Sequence, residues 1–437
     1  IVSRDWSSDV CSSDLINRDG RPDLYVCNDF DGEDRLWLNV GQGRFREAPA
    51  LALRKTSMFS MGVDFADINR DGLDDFIVVD MLNSDRRTRK NQMISRVQYT
   101  PVPGKFNDRP QTMRNTLFLN RGHSVFSEIA NFAGVAASDW AWCPMFIDVD
   151  LDGFEDLLIT NGVERNARHL DTIIKLRKQR ESRTMTNLEI LLARKVFPTQ
   201  NTANVAFRNL GNMKFAKAGS EWGFDTQGVS HGMASGDLDG DGDLDLVVNN
   251  MRSPAGIYRN NATKPRIAVR LTGPGGNTKG IGARIEVEYG DKVQSQEMIS
   301  GGRYLSPDDS LRVFAMPSGP AKLKVIWPNP GETVIHQVEP NRFYLVDYNP
   351  AQAKRAQSKK PTPLFKPIDF PDAKRHLETV GNENQNQPLV PWTLGRDGPG
   401  VAWGDLDSDG WEDLAVSNGR GGTVALYRNM AGKGFEL

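Results

Sequence analysis

The chain has 437 residues, of which 38% are hydrophobic and 25% charged, with a formal net charge of −2. That length accommodates two or three domains with a large buried core, and the near-neutral charge does not favour nucleic acid as a partner. No apolar run approaches the roughly 18 residues that span a bilayer, and three cysteines are too few for a disulfide framework.

In chain order, residues 1–15 stand where an apolar strand and a first acidic ligand are expected. Arg4 to Leu15 resembles translated sequencing-adapter read-through and is set aside from the fold expectations as non-native. Asn17, Asp19 and Asp23 then form an incomplete acidic loop. Complete copies follow at Asp67/Asn69/Asp71/Asp75, Asp148/Asp150/Asp152/Asp156, Asp237/Asp239/Asp241/Asp245 and Asp405/Asp407/Asp409/Asp413. Each places oxygen donors at loop positions 1, 3, 5 and 9 and a glycine at position 6. Calcium takes six to eight hard oxygen ligands, and the glycine permits the sharp turn between them. Acidic turns are common singly, but four copies in one register make a merely solvated turn a poor explanation. The expected cofactor is Ca2+, at four intact sites and one incomplete one.

An EF-hand needs a bidentate glutamate at position 12 and flanking helices. Position 12 is Val78, Ile159, Val248 and Val416, each inside a β-type run such as Asp75 to Val79. The loop therefore joins two strands of a hairpin.

The register continues past the ligands. Position 14 is Asn28, Asp80, Asn161, Asn250 or Asn418, and an apolar-aromatic-x-Asn pattern ends a later strand at Asn39, Asn120, Asn209, Asn260 and Asn429. That Asn precedes the next loop by 28 residues three times running. A unit of about 52 residues with four short strands has the size of one propeller blade. The second and third units carry insertions of about 29 and 37 residues between strands 2 and 3, with helical spacing over 170–176 and 188–194.

These residues resemble FG-GAP (VCBS) repeats, as in integrin α-subunit propellers. The resemblance implies an all-β propeller of about seven blades with calcium between strands 1 and 2. Residues 266–348 lack the acidic loop and read as a small antiparallel β-domain, inserted or appended. Its Gly280-Ile-Gly-Ala-Arg284, Ser300-Gly-Gly-Arg-Tyr304 and Val325-Ile-Trp-Pro328 elements resemble the ASPIC/UnbV domain. That domain accompanies FG-GAP repeats in proteins similar to cartilage acidic protein and in large bacterial surface proteins. Residues 349–372 read as a Pro-, Lys- and Gln-rich linker, and 373–437 as a further blade whose end at Leu437 reads as a truncation. A signal peptide is expected in the longer protein.

Basic charge concentrates in the insertions: eight Lys/Arg against two acids in 84–114, and nine against four in 162–203. In antiparallel blades the 1–2 and 2–3 connections leave opposite ends, so the metal loops and basic insertions are expected on opposite faces. Gly228-Val-Ser230-His-Gly232 matches G-x-S-x-G, but it precedes an acidic loop rather than a strand-to-helix turn, and the five histidines are scattered. The expectation is a non-enzymatic, secreted or surface-displayed calcium-binding propeller that recognises an extracellular protein or acidic glycan. The competing expectation is a carbohydrate-active lyase or hydrolase on the same scaffold.

Overall fold

The computed structural model describes residues 10–14, 16–29, 32–92, 109–182, 184, 186–299, 301–316, 319–329, 331–350, 400–418 and 422–437. The chain forms two compact units, the first holding four blades and the small β-domain, the second holding the fifth blade. The fold is all-β. The 349–372 linker lies almost wholly outside the described residues, as does all of 93–108 in the first insertion.

Blade 1 comprises Val10–Asp14, Asp23–Cys27, Arg35–Gly41 and Arg44–Glu47; blade 2 Gly62–Ala66, Asp75–Val79, Thr116–Asn120 and Phe126–Glu128. Blade 3 comprises Ala141–Ile147, Asp156–Asn161, Val205–Asn209 and Phe215–Lys217; blade 5 Val401–Gly404, Asp413–Val416, Ala425–Asn429 and Phe435–Glu436. Each is a four-stranded antiparallel sheet in simple meander order. Blade 4 has three strands, Ser230–Gly236, Asp245–Asn250 and Gly256–Tyr258, because the chain leaves after Asn260 to build the β-domain. Residues 10–14, set aside on sequence grounds, pair from Val10 with Cys27 to Asp14 with Asp23 and so supply the first strand of blade 1. Main-chain pairing against an existing hairpin does not require an apolar sequence.

Packing between blades explains the apolar runs. Phe76 and Val78 face Tyr25 and Leu36 of blade 1, while Ile77 and Val79 on the opposite pleat face Leu157 and Ile159 of blade 3. Leu158 then turns to Met233, Leu246 and Val248 of blade 4. Strands buried on both faces read as continuous hydrophobic stretches, as 75–79 and 156–161 do. In blade 4 the alternation returns, with Val247 exposed between two buried neighbours. Gly62 permits a close approach between blades: a Cβ there would lie 2.5 Å from the Trp142 carbonyl oxygen on the next blade's first strand.

The insertions form helices Arg86–Gln92, Leu170–Ser182 and Asn187–Ala193, all within the 2–3 connections. Arg168 anchors the second, its guanidinium 3.9 Å over the Phe59 ring.

The β-domain is a sandwich of a three-stranded sheet (Arg312–Ala315, Arg266–Thr272, Arg342–Asp347) and a four-stranded sheet (Lys292–Glu297, Arg284–Tyr289, Ala321–Ile326, Glu332–Val338). It has its own core, including Val269, Ile285, Phe314, Val325 and Trp327. One expectation is corrected: the domain is not wholly antiparallel. Its last strand returns beside its first, pairing Ile267 with Arg342 through Thr272 with Asp347 in parallel.

Candidate metal centre

Each acidic loop is a cage of backbone N–H groups pointing at its own carboxylates. The position 1 aspartate accepts from positions 5 and 6: Asp71 and Gly72 donate to Asp67 at 3.1 and 2.8 Å, Asp152 and Gly153 to Asp148 at 3.0 and 2.8 Å. Asp409 and Gly410 donate to Asp405 at 3.1 and 2.9 Å, whereas in blade 4 Gly240 and Gly242 donate to Asp237 at 2.8 and 3.1 Å. Position 6 has positive φ throughout, from 77° at Gly20 to 92° at Gly153, which accounts for its glycine. Position 4 is left-handed as well, at Arg18 (57°), Arg70 (63°), Leu151 (52°), Gly240 (78°) and Ser408 (63°). Sequence reasoning missed that second turn because four of the five residues there carry side chains.

Position 9 joins the hairpin to strand 3. One oxygen accepts the position 2 N–H, from Ile68, Val149, Leu238 and Leu406 at 3.3, 3.0, 2.9 and 3.0 Å. The other accepts the backbone N–H of the strand-end asparagine. Asn39, Asn120, Asn209, Asn260 and Asn429 donate to Asp23, Asp75, Asp156, Asp245 and Asp413 at 2.7–2.8 Å. The asparagine side chain then ties blades together. Asn120, Asn209 and Asn260 donate to the position 2 carbonyls of the preceding blade, at Ile16, Ile68 and Val149, at 3.3, 2.9 and 3.0 Å. In blades 2, 3 and 4 the apolar-aromatic-x-Asn motif is thus an inter-blade clasp, whereas the Asn39 and Asn429 amides donate within their own blades, to the Pro22 and Glu412 carbonyls.

In blades 3, 4 and 5 the carboxylates at positions 1, 3 and 9 converge. Asp148/Asp150/Asp156, Asp237/Asp239/Asp245 and Asp405/Asp407/Asp413 each bring one oxygen per residue within 4.8 Å of one another. Position 5 is not part of these close sets; Asp152, Asp241 and Asp409 each accept the position 7 N–H at 2.9–3.0 Å. In blade 2, Asn69 replaces the position 3 carboxylate and donates to Asp71 at 3.0 Å. In blade 1, Asn17 accepts the Asp19 N–H at 2.9 Å, and Leu15 at position 1 lies outside the described residues.

Burial makes several carboxylates of blades 1 to 3 poor anions on their own. Removal from water, with neighbouring carboxylates adding to it, pushes Asp75 and Asp156 up to about 9 and Asp148 to about 8. The same desolvation raises Asp67 and Asp23 to about 6. A donor set of hard oxygens, gathered and short of positive charge, fits a hard divalent cation.

The loops of blades 2, 3 and 4 form a floor under the sandwich. Arg284 reaches Asp74 at 2.6 Å and the Gly72 carbonyl at 2.9 Å, and Ser295 lies 3.4 Å from Asp67. Arg266 pairs with Asp241 at 2.9 Å and donates to its carbonyl at 2.8 Å. Neighbouring loops also lock: position 4 of one meets position 8 of the next through the buried Arg70–Glu155 pair at 2.9 Å, and Leu244 packs against the apolar cluster that holds Leu151. Arg303 of the sandwich bonds both Asp64 on blade 2 and Asp308, the latter at 2.8 Å. Of the acids at position 8, Asp74 takes its partner from the sandwich and Glu155 takes its partner from blade 2.

Ser230 does not sit on a strand-to-helix turn. It is on the first strand of blade 4, buried, with its hydroxyl donating to Asn250 at 2.8 Å.

Blade-like sheets in a single register, each closed by an acidic hairpin loop, with a sandwich seated on the loops, define an all-β, propeller-type repeat protein. Family comparison agrees. The FG-GAP-like repeat matches residues 16–78 and 187–248, and the ASPIC and UnbV domain matches residues 273–353. The chain carries FG-GAP-like repeats and an ASPIC/UnbV domain. No curated protein matches it.

Proposed function

We propose that this chain is a secreted or surface-displayed recognition protein whose blades are braced by calcium and whose partner docks at the opposite end. The observation that carries the reading is the convergence of three carboxylates in each of blades 3, 4 and 5. FG-GAP repeats suggest an extracellular, adhesion- or recognition-type propeller, and extracellular calcium modules bind with affinities on the order of 10⁻⁴–10⁻³ M. No described helix is long and apolar enough to cross a membrane.

Calcium would supply a double positive charge among Asp67/Asn69/Asp71/Asp75 in blade 2 and the four-aspartate sets of blades 3 to 5. Position 1 of each loop holds the turn through its accepted N–H groups, and position 9 holds strand 3 through its asparagine. Neutralising these carboxylates therefore stiffens the loop, the hairpin and the clasp to the preceding blade. Four dications would also turn the formal −2 of the chain positive, leaving the basic insertions dominant.

Those insertions, 84–114 and 162–203, fit an acidic extracellular glycan or protein. The strand order sends the 2–3 connections away from the metal loops. The engagement of the Ser230 hydroxyl by Asn250 supports a binding protein over a hydrolase built on that serine. Reversal of Arg86, Arg87, Arg89 and Lys90 to glutamate is expected to weaken retention on an immobilised sulfated glycan at least tenfold while leaving calcium affinity unchanged. Loss of both together would refute the division of roles.

A further inference from the structure

The five loops fall into two kinds, and a residue outside the loop changes with them. In blades 3, 4 and 5 position 3 is an aspartate (Asp150, Asp239, Asp407), and the residue before the strand-end asparagine is an arginine (Arg208, Arg259, Arg428). In blades 1 and 2 position 3 is an amide (Asn17, Asn69), and the corresponding residue is Leu38 or Leu119. The structure brings the charged pairs together: Arg208 lies 3.2 Å from Asp150, Arg259 2.7 Å from Asp239 and Arg428 2.6 Å from Asp407. Delivery follows from register. The next residue is fixed to position 9 by its own N–H, so the arginine on strand 3 must project over position 3.

Fold stability does not account for the pairing. The side chains of Arg259 and Arg428 are 66% and 58% exposed, and surface pairs of that kind contribute little. Charge does account for it. Asp67, Asp71 and Asp75 give the ligand set of blade 2 a formal −3; the four aspartates of blades 4 and 5 with their arginine give the same. In blade 4 Arg266 lies between Asp241 at 2.9 Å and the further acid Asp243 at 3.5 Å, so that this arginine and Asp243 cancel in the formal count, and in blade 3 Lys264 adds a second cation 3.6 Å from Asp150.

We propose that the arginine is a built-in counter-ion that lowers the cation affinity of the four-aspartate loops toward that of the amide loop. The proposal rests on the calcium reading above. Removing one positive charge about 7 Å from a dication should tighten binding by about two- to sevenfold, more at low salt than at physiological ionic strength.

The test is a calorimetric calcium titration of the full chain at two salt concentrations. It compares the wild type, Arg259→Leu with Arg428→Leu, and the same pair combined with Asp239→Asn and Asp407→Asn. Arg208 is left in place because it also braces Glu221 at 2.6 Å and the Trp222 ring. Expected are tighter binding of two ions in the arginine variant, a larger gain at low salt, and a return toward wild type when the amides are added. Arg259→Gln with Arg428→Gln should tighten binding alike, separating charge from packing. Unchanged or weaker affinity in both arginine variants would overturn the counter-ion role while leaving calcium binding intact. A wild-type chain that binds no calcium would overturn both readings.

Discussion

Asn209 shows how one side chain carries several scales of organisation. It is buried, its amide donates to Ile68 of blade 2 at 2.9 Å and to Glu155 at 3.1 Å, and its oxygen accepts the Gly211 N–H at 3.0 Å. Asn209→Leu would leave two carbonyls and one N–H without partners, each costing about 1–3 kcal/mol when buried. Allowing for partial relaxation, urea unfolding is expected to show a loss of about 2–4 kcal/mol. The equivalent change at Asn429, whose amide bond to Glu412 at 3.0 Å is solvent-exposed, should cost less than about 1 kcal/mol. The motif around Asn209 was legible from spacing alone. Its chemistry was not, because one acceptor lies 141 residues away on another blade.

Between elements, the informative contact is position 4 of one loop against position 8 of the next. The register uses an ion pair between blades 2 and 3 (Arg70–Glu155) and apolar packing between blades 3 and 4, where Leu244 lies against the cluster that holds Leu151. Desolvation already pushes Glu155 up to about 7, with Arg70 opposing that rise. Arg70→Met would strand the carboxylate in the core, and breaking such a buried pair costs about 3–5 kcal/mol. Arg70→Met with Glu155→Leu, which copies the apolar version, should recover most of that loss in a double-mutant cycle; a double variant as unstable as the single one would show that the ion pair is not the issue. Strands and loops were readable at this scale because alternation, glycines and 28-residue spacing are local or periodic. The strand at Val10–Asp14 was not, since its place is set by the pairing partner rather than by its own side chains. The parallel pairing of Arg266–Thr272 with Arg342–Asp347 was also hidden, because strand direction depends on a return path through the other sheet.

For the first compact unit as a whole, the sandwich is part of the blade architecture rather than an attachment. Where Gly62 in blade 2 meets Trp142 of the next blade, Gly232 in blade 4 meets the Tyr304 carbonyl of the sandwich, at 3.2 Å from an added Cβ. The main chain of Asp309 donates to Ser235 at 2.9 Å, and Ser306 donates to the Met233 carbonyl at 2.8 Å. Arg284, on the other side, is clamped to the loop of blade 2. The sequence elements at 280–284 and 300–304 thus mark docking residues, which nothing in their own composition reveals. The loops lie beneath this contact, so loading them with calcium is expected to stabilise both the blades and their seat for the sandwich. At about 1 mM calcium and affinities on the order of 10⁻⁴–10⁻³ M, each site contributes about 0.4–1.4 kcal/mol. The direct measurement is the melting temperature of the full chain in millimolar calcium and after transfer to excess EDTA. The account predicts a fall of at least several degrees on chelation that calcium restores and magnesium does not; an unchanged melting temperature would contradict a structural role for the metal.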